Sequence, residues 1–248
     1  SWSRLQGLKR VEKLPSLDQV PLVYRAPLLL EKGRVGMDSS DLDGAFRALE
    51  SVREIATTTE NPKLEVQALL AMGQIFERQN QLSNAANIIM EVSKKVAGIS
   101  DINLQDPEDR KLYWTAYNQL GTLFIRQHDF QRAQQFLNQA LSRAKEIQDQ
   151  RGMIRVLSNM GALCLSMRDT QTAREYFATA LGFARGTGDL LNQSRIMTNI
   201  AIAAMESNDF ESAKKYFKQA RDVAEDIGWH EGLADLALHI QRLRAALG

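Results

Sequence analysis

The chain has 248 residues, of which 44% are apolar and 25% are charged, as in an ordinary soluble globular protein. Its 31 basic and 30 acidic side chains leave a net charge of +1, so no strong field attracts nucleic acid or an anionic membrane. Cys164 is the only cysteine, which excludes an internal disulfide framework. No apolar run approaches the ~20 residues needed to span a bilayer. We therefore expect a cytoplasmic protein that neither binds nucleic acid nor inserts into a membrane.

The beginning of the chain is rich in proline. Pro15, Pro21 and Pro27 interrupt any long helix there, so we expect residues 1–27 to form an N-terminal extension or an irregular lead-in. The chain starts with Ser1 rather than with a methionine, and we expect it to be a piece of a longer protein.

Small residues recur at a fixed spacing from residue 28 onward, which predicts a repeat architecture. The five copies are Gly33, Ala45, Leu49 and Val52; Gly73, Ala85, Ile89 and Val92; Gly121, Ala133, Leu137 and Ala140; Gly161, Ala173, Phe177 and Ala180; and Ala201, Ala213, Phe217 and Ala220. Successive copies are 40, 48, 40 and 40 residues apart. The longer interval indicates an eight-residue insertion, which we place within residues 98–109.

Each copy predicts two helices joined by a short turn. Apolar residues such as Leu157, Met160 and Cys164 lie at i, i+3 and i+7, which is one face of a helix. Asp129, Asp169 and Asp209 stand where the second helix of a pair should be capped. Gly188 and Gly228 end second helices, where a left-handed residue is often required. The small residues let the two backbones approach closely, and the large residues beside them fill the remaining space.

These residues resemble the tetratricopeptide repeat, with "QLG" at 119–121 and "NMG" at 159–161. The forty-residue length is similar to the longer repeats of kinesin light chains, spindle-orientation adaptors and the sensor arms of bacterial regulators. The resemblance implies an all-α fold, a right-handed α-solenoid of about five helix-turn-helix repeats over residues 28–228. Residues 229–248 carry one apolar face and are expected to form a C-terminal capping helix.

In this family the first helices line a concave groove, and the residue two before the small position points into it. Here that column holds Gln119, Asn159, Asn199 and His239. A ladder of carboxamides can donate to and accept from the backbone of an extended peptide. The same amides could instead bond a neighbouring helix or water, and both interpretations stay open.

Arg155 and Arg195 lie one turn before the two asparagines, and Arg126 lies late on another first helix. Guanidinium groups on a groove wall would select carboxylates, although an ordinary solvated face is an equal alternative. Ile202 is either an apolar anchor for a partner or a packing residue between repeats. The predicted partner is thus an extended or amphipathic segment of another protein, with a mild acidic preference.

No pattern of catalytic or metal-binding residues is present, so we expect no enzyme activity, no metal and no cofactor. His128, His230 and His239 lack the spacing of a helical metal pair, and "GTGD" at 186–189 lacks the third glycine of a dinucleotide fingerprint. Cys164 falls in a packing column. Trp114 and Trp229 are expected to seal the junctions between repeats.

The predicted function is a non-catalytic adaptor or scaffold that binds a peptide segment or protein surface in its groove. Two alternatives remain. One is a ligand- or peptide-sensing arm of a larger regulatory protein. The other is a structural scaffold of a filament, secretion or motility assembly that uses its convex face. Self-association of the chain also remains open.

Overall fold

The computed structural model describes residues 20–98 and 107–247, which form eleven α-helices and no strand. The helices are α1 (Leu22–Asp38), α2 (Leu42–Thr58), α3 (Pro62–Arg78), α4 (Leu82–Gly98), α5 (Pro107–Arg126), α6 (Phe130–Glu146), α7 (Gln150–Ser166), α8 (Thr170–Gly186), α9 (Leu190–Glu206), α10 (Phe210–Asp226) and α11 (His230–Leu247). The odd-numbered helices are the predicted first helices, and the even-numbered helices are the second. The prediction of an all-α array of helix pairs with one terminal helix is confirmed.

The first helix begins earlier than we expected. Helix α1 starts directly after Pro21 and runs through Pro27, which we had expected to interrupt it. Pro27 is the sixth residue of α1, so its missing amide removes only one bond of the intrahelical ladder. Most of the remaining lead-in, residues 1–19, lies outside the described residues. So do residues 99–106 of the predicted insertion, whose flanks belong to α4 and α5.

Acidic and amide side chains fix where the helices begin. Seven helices start behind an Asp or Asn whose side chain accepts the backbone amide three residues later, namely Asp41, Asn61, Asp129, Asp149, Asp169, Asp189 and Asp209. Each bond satisfies one of the amides that a helix start leaves without an intrahelical partner. The three caps predicted from the sequence, Asp129, Asp169 and Asp209, are therefore confirmed.

Nine described helices are each followed by one left-handed residue, which stands directly before the N-cap residue of the next helix. Gly188 and Gly228 have φ angles of 67° and 65°, which confirms the prediction for both. Seven turns place a residue other than glycine there, namely Ser40, Glu60, Asn80, His128, Gln148, Arg168 and Asn208. Because these turns share one short geometry, successive helices fold back on each other in the same way.

The glycine column marks where paired helices approach most closely. A β-carbon added to Gly161 of α7 would lie 2.5 Å from Cε1 of Phe177 on α8. One added to Gly33 would lie 2.8 Å from Cδ2 of Leu49, and one added to Gly73 would meet Ile89. Each glycine thus makes room for the large buried residue sixteen positions later, as the sequence pattern predicted.

The chain divides into two compact units, residues 1–123 and residues 124–248. In unit 1 α1 packs against α2, α2 against α3 and α3 against α4, and α1 also contacts α3. Arg78 of α3 donates to the backbone carbonyl of Met37 at the end of α1. Lys95 of α4 pairs with Glu65 of α3 at 3.0 Å. These polar contacts join helices that the apolar core already holds together.

Unit 2 begins with the last residues of α5. Phe124 stacks on Phe136 of α6 with ring centroids 5.5 Å apart, and each helix from α6 to α11 packs against the next. The hydroxyl of Ser194, fully buried on α9, donates to the carbonyl of Ala220 on α10 at 2.8 Å. This buried bond fixes the register of the two helices because an unpaired hydroxyl there would be costly.

Candidate functional site

The first helices of unit 2 lie next to one another. Helix α7 contacts α9, and α9 contacts α11, in addition to their contacts with the second helices between them. In the described part of unit 2, no two second helices pack against each other to a comparable extent. The first helices therefore form a continuous layer, and a partner that contacts this layer would meet several repeats at once.

A narrow line of accessible side chains crosses this layer on helices that are otherwise buried. We call it the first-helix stripe; its members are Arg155, Ser158, Asn159 and Ala162 on α7, and Arg195, Thr198, Asn199 and Ile202 on α9. Every member is exposed or half-buried, and the two sets stand forty residues apart. Most of the other residues of α7 and α9 are buried by α6, α8 and α10. The stripe thus remains accessible on both helices.

Asn159 and Asn199 occupy equivalent half-buried positions in the stripe. The hydroxyls of their neighbours Ser158 and Thr198 bond back to the carbonyls of Ile154 and Ser194, so they are satisfied within their own helices. A carboxamide offers two donor hydrogens and an acceptor oxygen. Asn159 and Asn199 are the two carboxamides of the stripe.

Arg155 and Arg195 bring two like charges together on neighbouring helices. Both residues are exposed as a whole, although atoms of the protein surround the Arg155 guanidinium. Burial of the Arg155 guanidinium among neighbouring atoms lowers its pKa, and the charge of Arg195 lowers it further, whereas Asp189 and Asp149 oppose the shift. An anion placed between two arginine side chains would relieve such a repulsion.

Arg195 also contacts an aromatic ring that the sequence analysis did not assign to the site. Its guanidinium carbon lies 5.0 Å from the ring centroid of Trp229, a cation–π contact. Trp229 was expected only to seal a junction between repeats. One signal could have identified it, because it stands twenty residues after Asp209, in a column that otherwise carries capping residues.

Two other predicted site residues, Gln119 and Arg126, lie on α5 and not on the first-helix stripe. Gln119 is only 8% exposed, and its Oε1 has no hydrogen-bond partner among the described residues. All of residues 114–121 on α5 are buried, so Gln119 does not lie on an accessible line as Asn159 does. Arg126 is exposed at the end of α5.

His239 packs against a helix as well as lining the first-helix layer. Its ring stacks on Phe217 of α10, with centroids 6.1 Å apart and an interplanar angle of 12°. Partial burial lowers its pKa, and the charge of Arg242 adds to the effect, while Asp235 opposes it. We therefore regard His239 as a packing contact between α10 and α11 rather than as a residue that binds a partner.

The described residues contain no metal-binding cluster, and their one thiol is buried. No group of three His, Cys, Asp or Glu side chains comes together there in a way that could hold a metal ion. Cys164 is buried, and burial raises the pKa of its thiol, which suppresses the reactive thiolate. None of the described helices has both the length and the apolar character required to cross a membrane.

The fold and the stripe together define a helix-pair repeat protein with a polar, partly cationic first-helix layer. Residues 115–147 and residues 152–226 match two family models, each described as a tetratricopeptide repeat. The chain accordingly carries tetratricopeptide repeats and is a member of that superfamily. No curated protein sequence matches the chain significantly.

Solved structures show the same fold at low sequence identity. BtubC (BKLC) from P. vanneervenii has a TM-score of 0.69 and 17% identity over 91% of this chain and 90% of its own. A kinesin light chain protein of Podosopora anserina with nearly identical TPR-like repeats has a TM-score of 0.64 and 13% identity, covering 85% and 99% of the two chains. A Rap protein complexed with Competence and Sporulation Factor has a TM-score of 0.69 and 12% identity, covering 92% and 68%. At these identities the likeness concerns the fold alone.

Proposed function

We propose that the chain is a non-catalytic protein-interaction scaffold and that its first-helix stripe holds an extended segment of a partner protein. The observation that carries this proposal is the pair of equivalent half-buried asparagines, Asn159 and Asn199, on helices in contact with each other. An extended segment has unpaired backbone N–H and C=O groups that carboxamides can satisfy. Binding of this kind depends little on the partner's exact side chains.

The charge of the stripe adds a preference for acidic segments. Arg155 and Arg195 repel each other in the free protein, and a carboxylate between them would replace that repulsion with two charge-assisted hydrogen bonds. Because the whole chain has a net charge of only +1, this preference is local to the stripe. A partner with an acidic side chain or a terminal carboxylate fits this end of the surface.

Apolar groups near the stripe provide contacts for an amphipathic partner. Ile202 is half-buried on the stripe, and Leu191 at the start of α9 is 38% exposed. Aliphatic side chains beside polar groups are typical of surfaces that bind peptide segments. The complex of a Rap protein with Competence and Sporulation Factor, a neighbour in fold, supports this use of the architecture.

The proposal is tested by affinity capture from the cells that make the protein, with bound proteins identified by mass spectrometry. Wild type is compared with Asn159→Ala/Asn199→Ala and with Arg155→Glu/Arg195→Glu. We expect one partner to be retained by wild type and to bind at least tenfold more weakly to both variants, since each variant removes two hydrogen bonds, which contribute about 0.5–1.5 kcal/mol each when neutral and about 1.5–3 kcal/mol each when charged.

The matched control is Lys214→Glu/Lys215→Glu on α10, where both lysines are exposed outside the first-helix layer. Circular dichroism must show that all variants keep their helix content. A partner that both stripe variants retain, and that the α10 variant loses, would contradict the proposal and point to the second-helix layer instead.

A further inference from the structure

Helix α11 begins in a different way from α6 to α10, the five helices before it. The amide of Leu233 donates to the carbonyl of Trp229 at 3.1 Å, so Trp229 occupies the N-cap position. In the five preceding turns this column carries aspartate at intervals of twenty residues, from Asp129 to Asp209. An indole has no acceptor and cannot bond the free amides of the first turn. Helix α11 therefore lacks the side-chain hydrogen bond that a capping aspartate would provide at its start.

A glycine in the first turn of α11 accompanies this change. A β-carbon at position 232 would collide with the indole ring of Trp229, so the ring lies directly against the backbone of Gly232. Glycine inside a helix is less favourable than alanine by up to about 1 kcal/mol. The start of α11 thus lacks a side-chain cap and carries a glycine, and the glycine makes room for the Trp229 ring. Such departures concentrate at functional positions.

The same ring also contacts Arg195 of α9. The Arg195 guanidinium lies over the indole at 5.0 Å, while the nearby charge of Arg155 repels it. A long, flexible arginine beside a like charge would otherwise turn away into solvent. Attraction to the ring face opposes that movement and keeps the guanidinium beside the indole.

We infer that Trp229 is a positioning residue of the partner-binding stripe, which holds Arg195 beside Arg155 so that the two can receive one carboxylate of a partner. The inference rests on the proposed function for the use of Arg195, but the indole–guanidinium contact itself can be measured without a partner. Trp229 then acts through Arg195 and does not have to touch the carboxylate.

The test compares Trp229→Phe, which keeps an aromatic face, with Trp229→Leu, which keeps apolar packing but has no ring. The first readout is the Nε–H resonance of Arg195 in nuclear magnetic resonance spectra, assigned by its disappearance in Arg195→Gln. The second is the affinity for a fluorescein-labelled hexaglutamate peptide, measured by anisotropy. Lys214→Gln on α10 is the control for loss of a cation elsewhere.

We expect the Nε proton of Arg195 to be shifted upfield by the ring in wild type, less so in Trp229→Phe, and not at all in Trp229→Leu. Hexaglutamate should bind Trp229→Leu about three- to tenfold more weakly than wild type, with Trp229→Phe in between, as expected from the size of a cation–π contact. Arg195→Gln should weaken binding at least as much as Trp229→Leu, and Lys214→Gln should leave it unchanged.

A purely structural role gives a different pattern. If Trp229→Leu keeps the wild-type Nε–H resonance, or binds hexaglutamate as well as wild type does, the inference is wrong. Should Trp229→Leu unfold α11, Trp229→Asp/Gly232→Ala replaces it, because that variant gives α11 a capped start. Failure of wild type to bind hexaglutamate would contradict the acidic preference of the proposed function, and the Nε–H resonance alone would then decide this inference.

Discussion

Gly161 shows at the scale of one residue why the small positions of the repeat are small. A β-carbon there would lie 2.5 to 2.7 Å from three atoms of the Phe177 ring, which is fully buried and has no room to move. We expect Gly161→Ala to lower the free energy of unfolding by about 1–2 kcal/mol, because overpacking outweighs the better helix propensity of alanine. Chemical denaturation followed by circular dichroism measures this change.

Gly182 provides the matched control on helix α8. No atom lies within 4 Å of the position that its β-carbon would take. Gly182→Ala should therefore stabilise the protein, by up to about 1 kcal/mol, through helix propensity alone. If both substitutions stabilised the protein equally, the close approach at Gly161 would not limit its side chain, and our account of the small column would fail.

The contribution of the left-handed residues to stability can be tested by exchanging the residue types at two equivalent turns. Gln148 and Gly188 occupy equivalent turns forty residues apart, with φ angles of 54° and 67°. A side chain disfavours this conformation by about 1–2 kcal/mol, and glycine does not. Gln148→Gly should raise the free energy of unfolding by about 0.5–1 kcal/mol, and Gly188→Gln should lower it by a similar amount, both measured by denaturation. Effects of the same sign would show that the turn backbone does not govern the outcome.

Several residue-level contacts could be read from the sequence, and others could not. The pairing of Gly161 with Phe177 follows from a fixed spacing within one helix pair, which the repeat makes visible. The burial of Gln119 depends on what covers α5, where the repeat interval is irregular. The contact of Arg195 with Trp229 joins residues on different repeats, and the helical period of either helix does not encode it.

At the scale of the helices, the caps make stability depend on pH. Hydrogen bonds from Thr172 lower the pKa of Asp169, and hydrogen bonds from Ser212 lower that of Asp209. A carboxyl whose pKa is lower in the folded state contributes stability above its unfolded pKa, about 3.9, and loses it as the pH falls through the folded pKa. The helices should thus lose part of their stability between about pH 5 and pH 2.

Asparagine isolates this contribution, because it caps helices about as well as aspartate but does not titrate. We expect the melting temperature of Asp169→Asn/Asp209→Asn to fall less steeply with acidification than that of wild type. Thermal denaturation at a series of pH values provides the comparison. Parallel curves for the two proteins would mean that these caps do not contribute to the acid sensitivity.

Helix number and type could be predicted because the helices carry apolar faces and seven of them also have an Asp or Asn start signal. The least accurate boundary was that of α1, where Pro27 was given more weight than it has within the second turn of a helix. Whether a proline interrupts a helix depends on how many ladder bonds it removes, and that number depends on where the helix starts. The sequence alone did not define that start.

At the scale of the whole chain, binding depends on the local arrangement of charges rather than on their sum. The net charge is +1, so a general attraction for anions is weak and any acidic preference must arise within unit 2. The sequence predicted the columns of Asn159, Asn199, Arg155 and Arg195. The structure adds that they form one accessible line on helices in contact. Family membership and fold similarity alone do not identify this line as a binding surface.

The most direct test of the central claim is site-specific photo-crosslinking. A photoreactive phenylalanine analogue replaces Ile202 in the first-helix stripe or, as a control, Tyr216 on α10, and both of these side chains are half-buried. Our account predicts that the analogue at position 202 crosslinks a partner protein and that Arg155→Glu/Arg195→Glu abolishes the product, whereas position 216 gives none. A partner crosslinked from position 216 and not from position 202 would contradict it.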